Sequence, residues 1–112
     1  MLSSVQINED RRTRIQVTVK LSVKENAIEN ELVRRVRALG GRAEKVQVLG
    51  NRGFFDRLVL LPGGRVLFVE CKRPQGGRLS PHQIERIRIY TALGAVACVV
   101  SNSADIDALL ND

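Results

Sequence analysis

Two acidic residues stand where the surrounding sequence is apolar. Asp56 precedes Arg57-Leu58-Val59-Leu60-Leu61, and Glu70 follows Val66-Leu67-Phe68-Val69 and is itself followed by Cys71 and Lys72. Pro62-Gly63-Gly64 lies between the two runs and predicts a hairpin with strands over 56–61 and 65–72. If those three residues form the loop, Leu61 pairs with Arg65 and Asp56 comes to face Glu70, with Lys72 on the side of Glu70. A two-residue loop would instead pair Asp56 with Cys71 and turn Glu70 to the far face. Two carboxylates on one face repel each other unless a cation lies between them. Their oxygens suit Mg²⁺ or Mn²⁺, and no His or Cys cluster has the spacing of a zinc site. The plain alternative is that Glu70 pairs with Lys72 or Arg57. An acid-x-Lys triplet arises by chance about once in a chain of this length.

Glu29 raises the same question on a helix. Ser22-Val23-Lys24-Glu25 has the S-x-x-E form of a capping box, and Gly40-Gly41 ends the helix that follows, at about residue 39. Ile28, Leu32, Val36 and Leu39 mark its buried stripe. Glu29 falls on the flank of that stripe beside Val33 and Val36, whereas Asn30, Glu31, Arg34, Arg35 and Arg37 take the polar side. Its positions three and four residues on are Leu32 and Val33, which offer no salt bridge. Glu29 is therefore a candidate third acidic group. Gln83 is more ambiguous: as the third residue of a helix opened by Ser80-Pro81 it completes a capping box as readily as it serves a site. His82 is read as a surface residue, and Tyr90 as packing on the sheet.

The elements that must position these groups follow from periodicity. Residues 14–23 alternate strictly, with Ile15, Val17, Val19, Leu21 and Val23 on one side, and predict a half-buried strand. Residues 1–13 are polar and expected to be loosely ordered. After the first helix, 43–49 predict a strand, then comes the basic loop Gly50-Asn51-Arg52-Gly53, then the hairpin. The Gly-rich loop 74–78 leads to a helix from Ser80 to about residue 93, a strand over 95–100, and a last helix capped by Ser103. The order is strand, helix, three strands, helix, strand, helix. It predicts one α/β domain over 1–112, a mixed sheet flanked by helices.

The bulk numbers set the class of partner. The chain has 112 residues and a net charge of +6, with 14 Arg against 4 Lys. Guanidinium binds phosphate oxygens bidentately, so the bias favours a nucleic-acid partner. Only four residues are aromatic, which argues against RNA-binding modules that rely on stacking. Cys71 and Cys98 sit in apolar runs and read as buried thiols, which points to a reducing, cytoplasmic setting. No apolar run approaches the length of a membrane span, and the N-terminus lacks a signal-peptide core.

Read together, Gly53-Phe54-Phe55-Asp56-Arg57, Phe68-Val69-Glu70-Cys71-Lys72-Arg73-Pro74, Gly77-Arg78-Leu79-Ser80 and Gln83 resemble the virus-type replication-repair nuclease (VRR-NUC) domain. This is a branch of the PD-(D/E)xK superfamily, and the resemblance runs from the first helix to the strand near Val100. It implies a restriction-endonuclease-like core and a catalytic set of Glu29, Asp56, Glu70, Lys72 and Gln83. It implies Mg²⁺ or Mn²⁺ held by Asp56, Glu70, the Cys71 backbone carbonyl and Glu29. Phe55 stands where the family usually has Pro, a departure at a residue that is not a ligand. Small stand-alone members look like phage or bacterial enzymes, and dimeric ones resemble Holliday junction resolvases of DNA repair. The expectation is thus a metal-dependent, structure-selective DNA endonuclease, junction-resolving or flap-cutting. Arg52, Arg57, Arg73 and Arg78 are expected on the DNA backbone. A homodimer through residues 14–23 is weighed against packing of that strand within its own chain. The rival is a non-catalytic binding module on a decayed nuclease fold.

Overall fold

The structure, a computed structural model, describes residues 23–50 and 53–111. The segment 1–13, the strand expected over 14–23 up to its last residue, the Ser22 cap and Arg52 lie outside them. Helix α1 spans Val23–Ala38. Strands β1 (Arg42–Glu44), β2 (Arg57–Leu61) and β3 (Arg65–Cys71) follow, then helix α2 (Pro81–Ala92), strand β4 (Val96–Val100) and helix α3 (Ser103–Leu110). The sheet order is β1-β2-β3-β4. The first two pairings are antiparallel and β3 runs parallel to β4, so the sheet is mixed.

The hairpin takes the three-residue loop. Leu61 pairs with Arg65 and Arg57 with Val69. Gly63 and Gly64 turn the chain at φ of 86° and 82°, a left-handed conformation that glycine adopts without Cβ strain. This register decides everything downstream, because one more step along it sets Asp56 against Glu70. It also sorts alternate side chains. Val59, Leu61, Leu67, Val69 and Cys71 face one way and bury against Ile28, Leu32 and Val36 of α1 and Ile106 and Leu110 of α3. Phe68 and Glu70 face the other way, toward α2.

Three local expectations shift. Of the strand expected over 43–49 only Arg42–Glu44 forms one, with Val48 alone in a further bridge. Leu39 is half-exposed and not part of the buried stripe. The helix has ended by then: Gly40 takes φ 86° and the Gly41 amide donates back to the Val36 carbonyl at 3.0 Å. Ser103 is the first residue of α3 and not its cap; the Asn102 side chain accepts from the Asp105 amide at 2.8 Å instead. Helix α2 begins as its sequence requires, with Ser80 capping, Pro81 in the first turn and Gln83 closing the capping box.

Candidate active site

Asp56, Glu70, Lys72 and Gln83 meet at the open end of the hairpin. Asp56 caps the ladder where it stops, its Oδ2 accepting the Cys71 amide at 2.8 Å. Glu70 is 4% exposed. The Gln83 side-chain amide donates to Glu70 Oε2 at 2.6 Å, and Lys72 Nζ lies 3.5 Å from the same oxygen. Two neutral or cationic donors would ordinarily hold a glutamate ionised. Burial outweighs them, and the charge of Asp56 adds to it, so the Glu70 carboxyl is raised to about 7. The Asp56–Glu70 pair is short of positive charge.

Glu29 is buried to nearly the same extent but solved differently. Arg57 Nε donates to Glu29 Oε2 at 2.7 Å and Lys45 Nζ reaches the same oxygen at 3.2 Å. Arg57 also donates to the Ala43 carbonyl at 2.9 Å. The register explains this: Asp56 and Arg57 are neighbours, so the pleat sends them to opposite faces, one to Glu70 and the other to α1. Arg57 was expected on the DNA backbone; its side chain is 18% exposed and committed to Glu29 and β1. Lys45 is a partner that spacing could not reveal, because it reaches Glu29 across the turn out of β1.

Among the described residues no three His, Cys, Asp or Glu side chains form a metal-binding cluster. Asp56, Glu29 and Glu70 nevertheless surround Cys71. Burial first, then the charges of those three carboxylates, push its thiol far above the usual range. Cys71 is therefore no nucleophile. Cys98 is also raised, to about 11, by burial alone. Both thiols are free.

Two hollows adjoin the acids. Lys72, Arg73, Gly76, Gly77 and Arg78 line one of about 400 Å³. Gly77 packs so closely that a Cβ there would sit 2.7 Å from the Arg73 carbonyl, which keeps this cationic loop tight. Arg73 and Arg78 are exposed on it, as phosphate-binding residues would be. An open cleft of about 1170 Å³ is lined by Lys45–Gly50 and Gly53–Asp56. Arg86 braces that side. It donates to the Gly53 carbonyl and lies 5.8 Å over the Phe54 ring. Nothing in the sequence singled out Arg86 except its place one turn after Gln83.

The fold recurs in known proteins. No family model matches the chain. A solved structure described as a VRR_NUC domain superposes with a TM-score of 0.74 at 33% identity, over 79% of this chain and 95% of that one. A protein of Acyrthosiphon pisum secondary endosymbiont phage 1, named "Putative nuclease p44", is 44% identical over 89 residues, covering 79% of this chain and 92% of its own length. The chain belongs to the VRR-NUC nuclease family. No helix among the described residues is long and apolar enough to cross a membrane.

Proposed function

We propose that the chain is a metal-dependent, structure-selective DNA endonuclease. The observation that carries this is the meeting of half-buried Asp56 with buried Glu70, with Lys72 beside them on a basic chain. Hard oxygen donors of this kind fit Mg²⁺ or Mn²⁺. Asp56, Glu70 and the Cys71 carbonyl would hold the ion. When bound, such an ion supplies Lewis acidity, lowering the pKa of water and offsetting charge on the phosphate. Glu29 contributes from behind, through Arg57 and Lys45, and would join the ion only by exchanging one of those partners.

The chain's own groups have distinct tasks. Asp56 is oriented by the Cys71 amide, which it accepts through Oδ2. Gln83 holds the Glu70 carboxyl in place from the first turn of α2. Burial raises the Glu70 carboxyl to about 7, and a bound cation would favour its ionised form. Lys72 is placed to orient the attacking water or to steady a phosphate oxygen as charge develops. Arg73 and Arg78 hold the DNA backbone in the hollow next to Lys72. Arg52, outside the described residues, is proposed as a further backbone contact.

The preferred substrate in this reading is a four-way junction, with a flap as the nearest alternative. Two symmetric cuts need two related sites, which a C2 homodimer supplies. The test uses labelled four-way, flap and linear duplex DNA with Mn²⁺, Mg²⁺ or EDTA, beside Lys72→Ala. Metal-dependent paired cuts in the junction, absent in the variant, are expected. Cleavage of flaps alone would keep the nuclease and discard junction resolution. Binding without cleavage under any metal would favour the non-catalytic module.

A further inference from the structure

Arg57 is turned to α1, so Arg73 and Arg78, both beyond β3, are what the structure describes of the expected backbone grip. A strand held on that side alone would pivot about the acidic pair. The edge of the sheet supplies the other side. β2 lies between β1 and β3. Glu44 pairs with Leu58 and Arg57 with Val69, which brings the end of β1, the start of β2 and the end of β3 to the same edge. Lys45 follows β1, Asp56 precedes β2, and Glu70 and Lys72 stand where β3 ends. Across that edge the order is a cation, two acids and then a group of cations. Lys45 and Asp56 also line one open cleft.

Lys45 is more than Glu29 requires. The carboxylate is already matched by Arg57, whose Nε donates to Oε2 at 2.7 Å from a side chain that is 18% exposed and anchored on the Ala43 carbonyl. Lys45 reaches the same oxygen at 3.2 Å from a side chain that is 69% exposed. The three groups together carry a net positive charge, and it resides on the one that solvent reaches. An ion pair exposed to that degree holds weakly, so the ammonium can leave Glu29 for another anion at small cost. A phosphate oxygen is such an anion, and a flexible lysine binds it as a point charge. We propose that Lys45 binds a DNA backbone phosphate on the side of Asp56 and Glu70 opposite Arg73 and Arg78. The strand then crosses the edge of the sheet from β1 to β3, with the acidic pair between two cationic grips. Arg57 keeps Glu29 compensated when Lys45 turns away. This rests on the nuclease reading above.

The test first maps the cut in the branched DNA that the wild type cleaves with Mn²⁺. Binding is then measured with Ca²⁺ in place of Mn²⁺, on DNA carrying one uncharged methylphosphonate at each phosphate around the cut in turn. Lys45→Ala is expected to weaken binding about fivefold and to lower the slope of log affinity against log salt by about 1. Lys45→Arg should keep that slope, and both variants should melt with the wild type. One methylphosphonate should weaken binding by the wild type to the same extent and cost Lys45→Ala nothing further. The phosphate it replaces should lie across the cut from the one that behaves in this way with Arg78→Ala. A salt slope unchanged in Lys45→Ala overturns the proposal, because Lys45 then serves Glu29 alone. So does a coupled phosphate on the same side of the cut as that of Arg78. A wild type that neither cuts nor binds branched DNA overturns the nuclease reading itself.

Discussion

Glu29 and Glu70 are buried to 8% and 4% exposure at the same end of one sheet, yet they sit in opposite electrostatic states. Glu29 has two cations on one oxygen. Glu70 has an amide, one ammonium at the edge of contact and a second carboxyl, and burial raises its carboxyl to about 7. Both charges are out of water, so each must be compensated. Glu29 is compensated by two cations of the fold itself, whereas Glu70 and Asp56 share one distant ammonium and one amide. In the proposed function that difference would separate a carboxylate that builds the site from one that works in it.

The sharpest way to break that comparison is to neutralise each acid in turn. Glu70→Gln and Lys72→Ala are expected to cut DNA cleavage about a thousandfold, the scale of losing a group aimed at developing charge. Glu29→Gln should cost far less, about tenfold, and leave Mn²⁺ affinity by calorimetry nearly unchanged. A loss for Glu29→Gln equal to that for Glu70→Gln, with weakened Mn²⁺ binding, would make Glu29 a ligand and erase the distinction.

Arg57 offers the next largest effect. Arg57→Ala leaves Glu29 buried with only Lys45, whose side chain is 69% exposed and holds it weakly. Removing one partner of a buried pair is strongly destabilising, and a loss of about 3 kcal/mol is expected by urea denaturation. Were Arg57 a DNA-contacting residue, the same substitution would weaken DNA binding and leave stability alone.

Much of this could be read from residue order. The three-residue loop at Pro62-Gly63-Gly64 fixed the register, and with it the meeting of Asp56 and Glu70. The apolar flank of α1 marked Glu29 as buried, and Ser80-Pro81 located the helix that carries Gln83. What stayed hidden was the face each cation would take. Arg57 follows Asp56 directly in sequence, but the pleat sends it to the opposite face. Lys45 and Arg86 act across loops, where no period relates a residue to its partner. The apolar stretch 46–49 suggested the rest of a strand, but only Val48 makes a bridge and the stretch lines the open cleft.

A smaller effect appears in the pH dependence of the metal-free protein. A native carboxyl at about 7 keeps its proton longer than the unfolded chain does. Stability is then fully present below the ordinary glutamate range and is lost as pH rises through about 7. Thermal melts in EDTA should show a decline between those limits on the order of 2 kcal/mol. Glu70→Gln should flatten the decline and melt higher than the wild type at alkaline pH while being inactive. Mg²⁺ or Mn²⁺ should restore stability to the wild type only. A flat profile for the wild type would mean that Asp56 and Glu70 are already compensated, as Glu29 is.

The smallest effect separates the helix cap from the site it touches. Gln83 does two things at once: its Oε1 accepts the Ser80 amide at 2.8 Å while its Nε2 donates to Glu70. Ser80→Ala removes the other half of the cap and leaves the Glu70 contact in place. Each substitution should cost about 1 kcal/mol of stability. Only Gln83→Ala should also weaken metal binding and cleavage, because Glu70 then loses a donor that favours its charged, metal-binding form. Matched stability losses with matched activity would reduce Gln83 to a cap. Matched stability with activity lost in Gln83→Ala alone would place α2, through one side chain, among the elements that set the acidic pair.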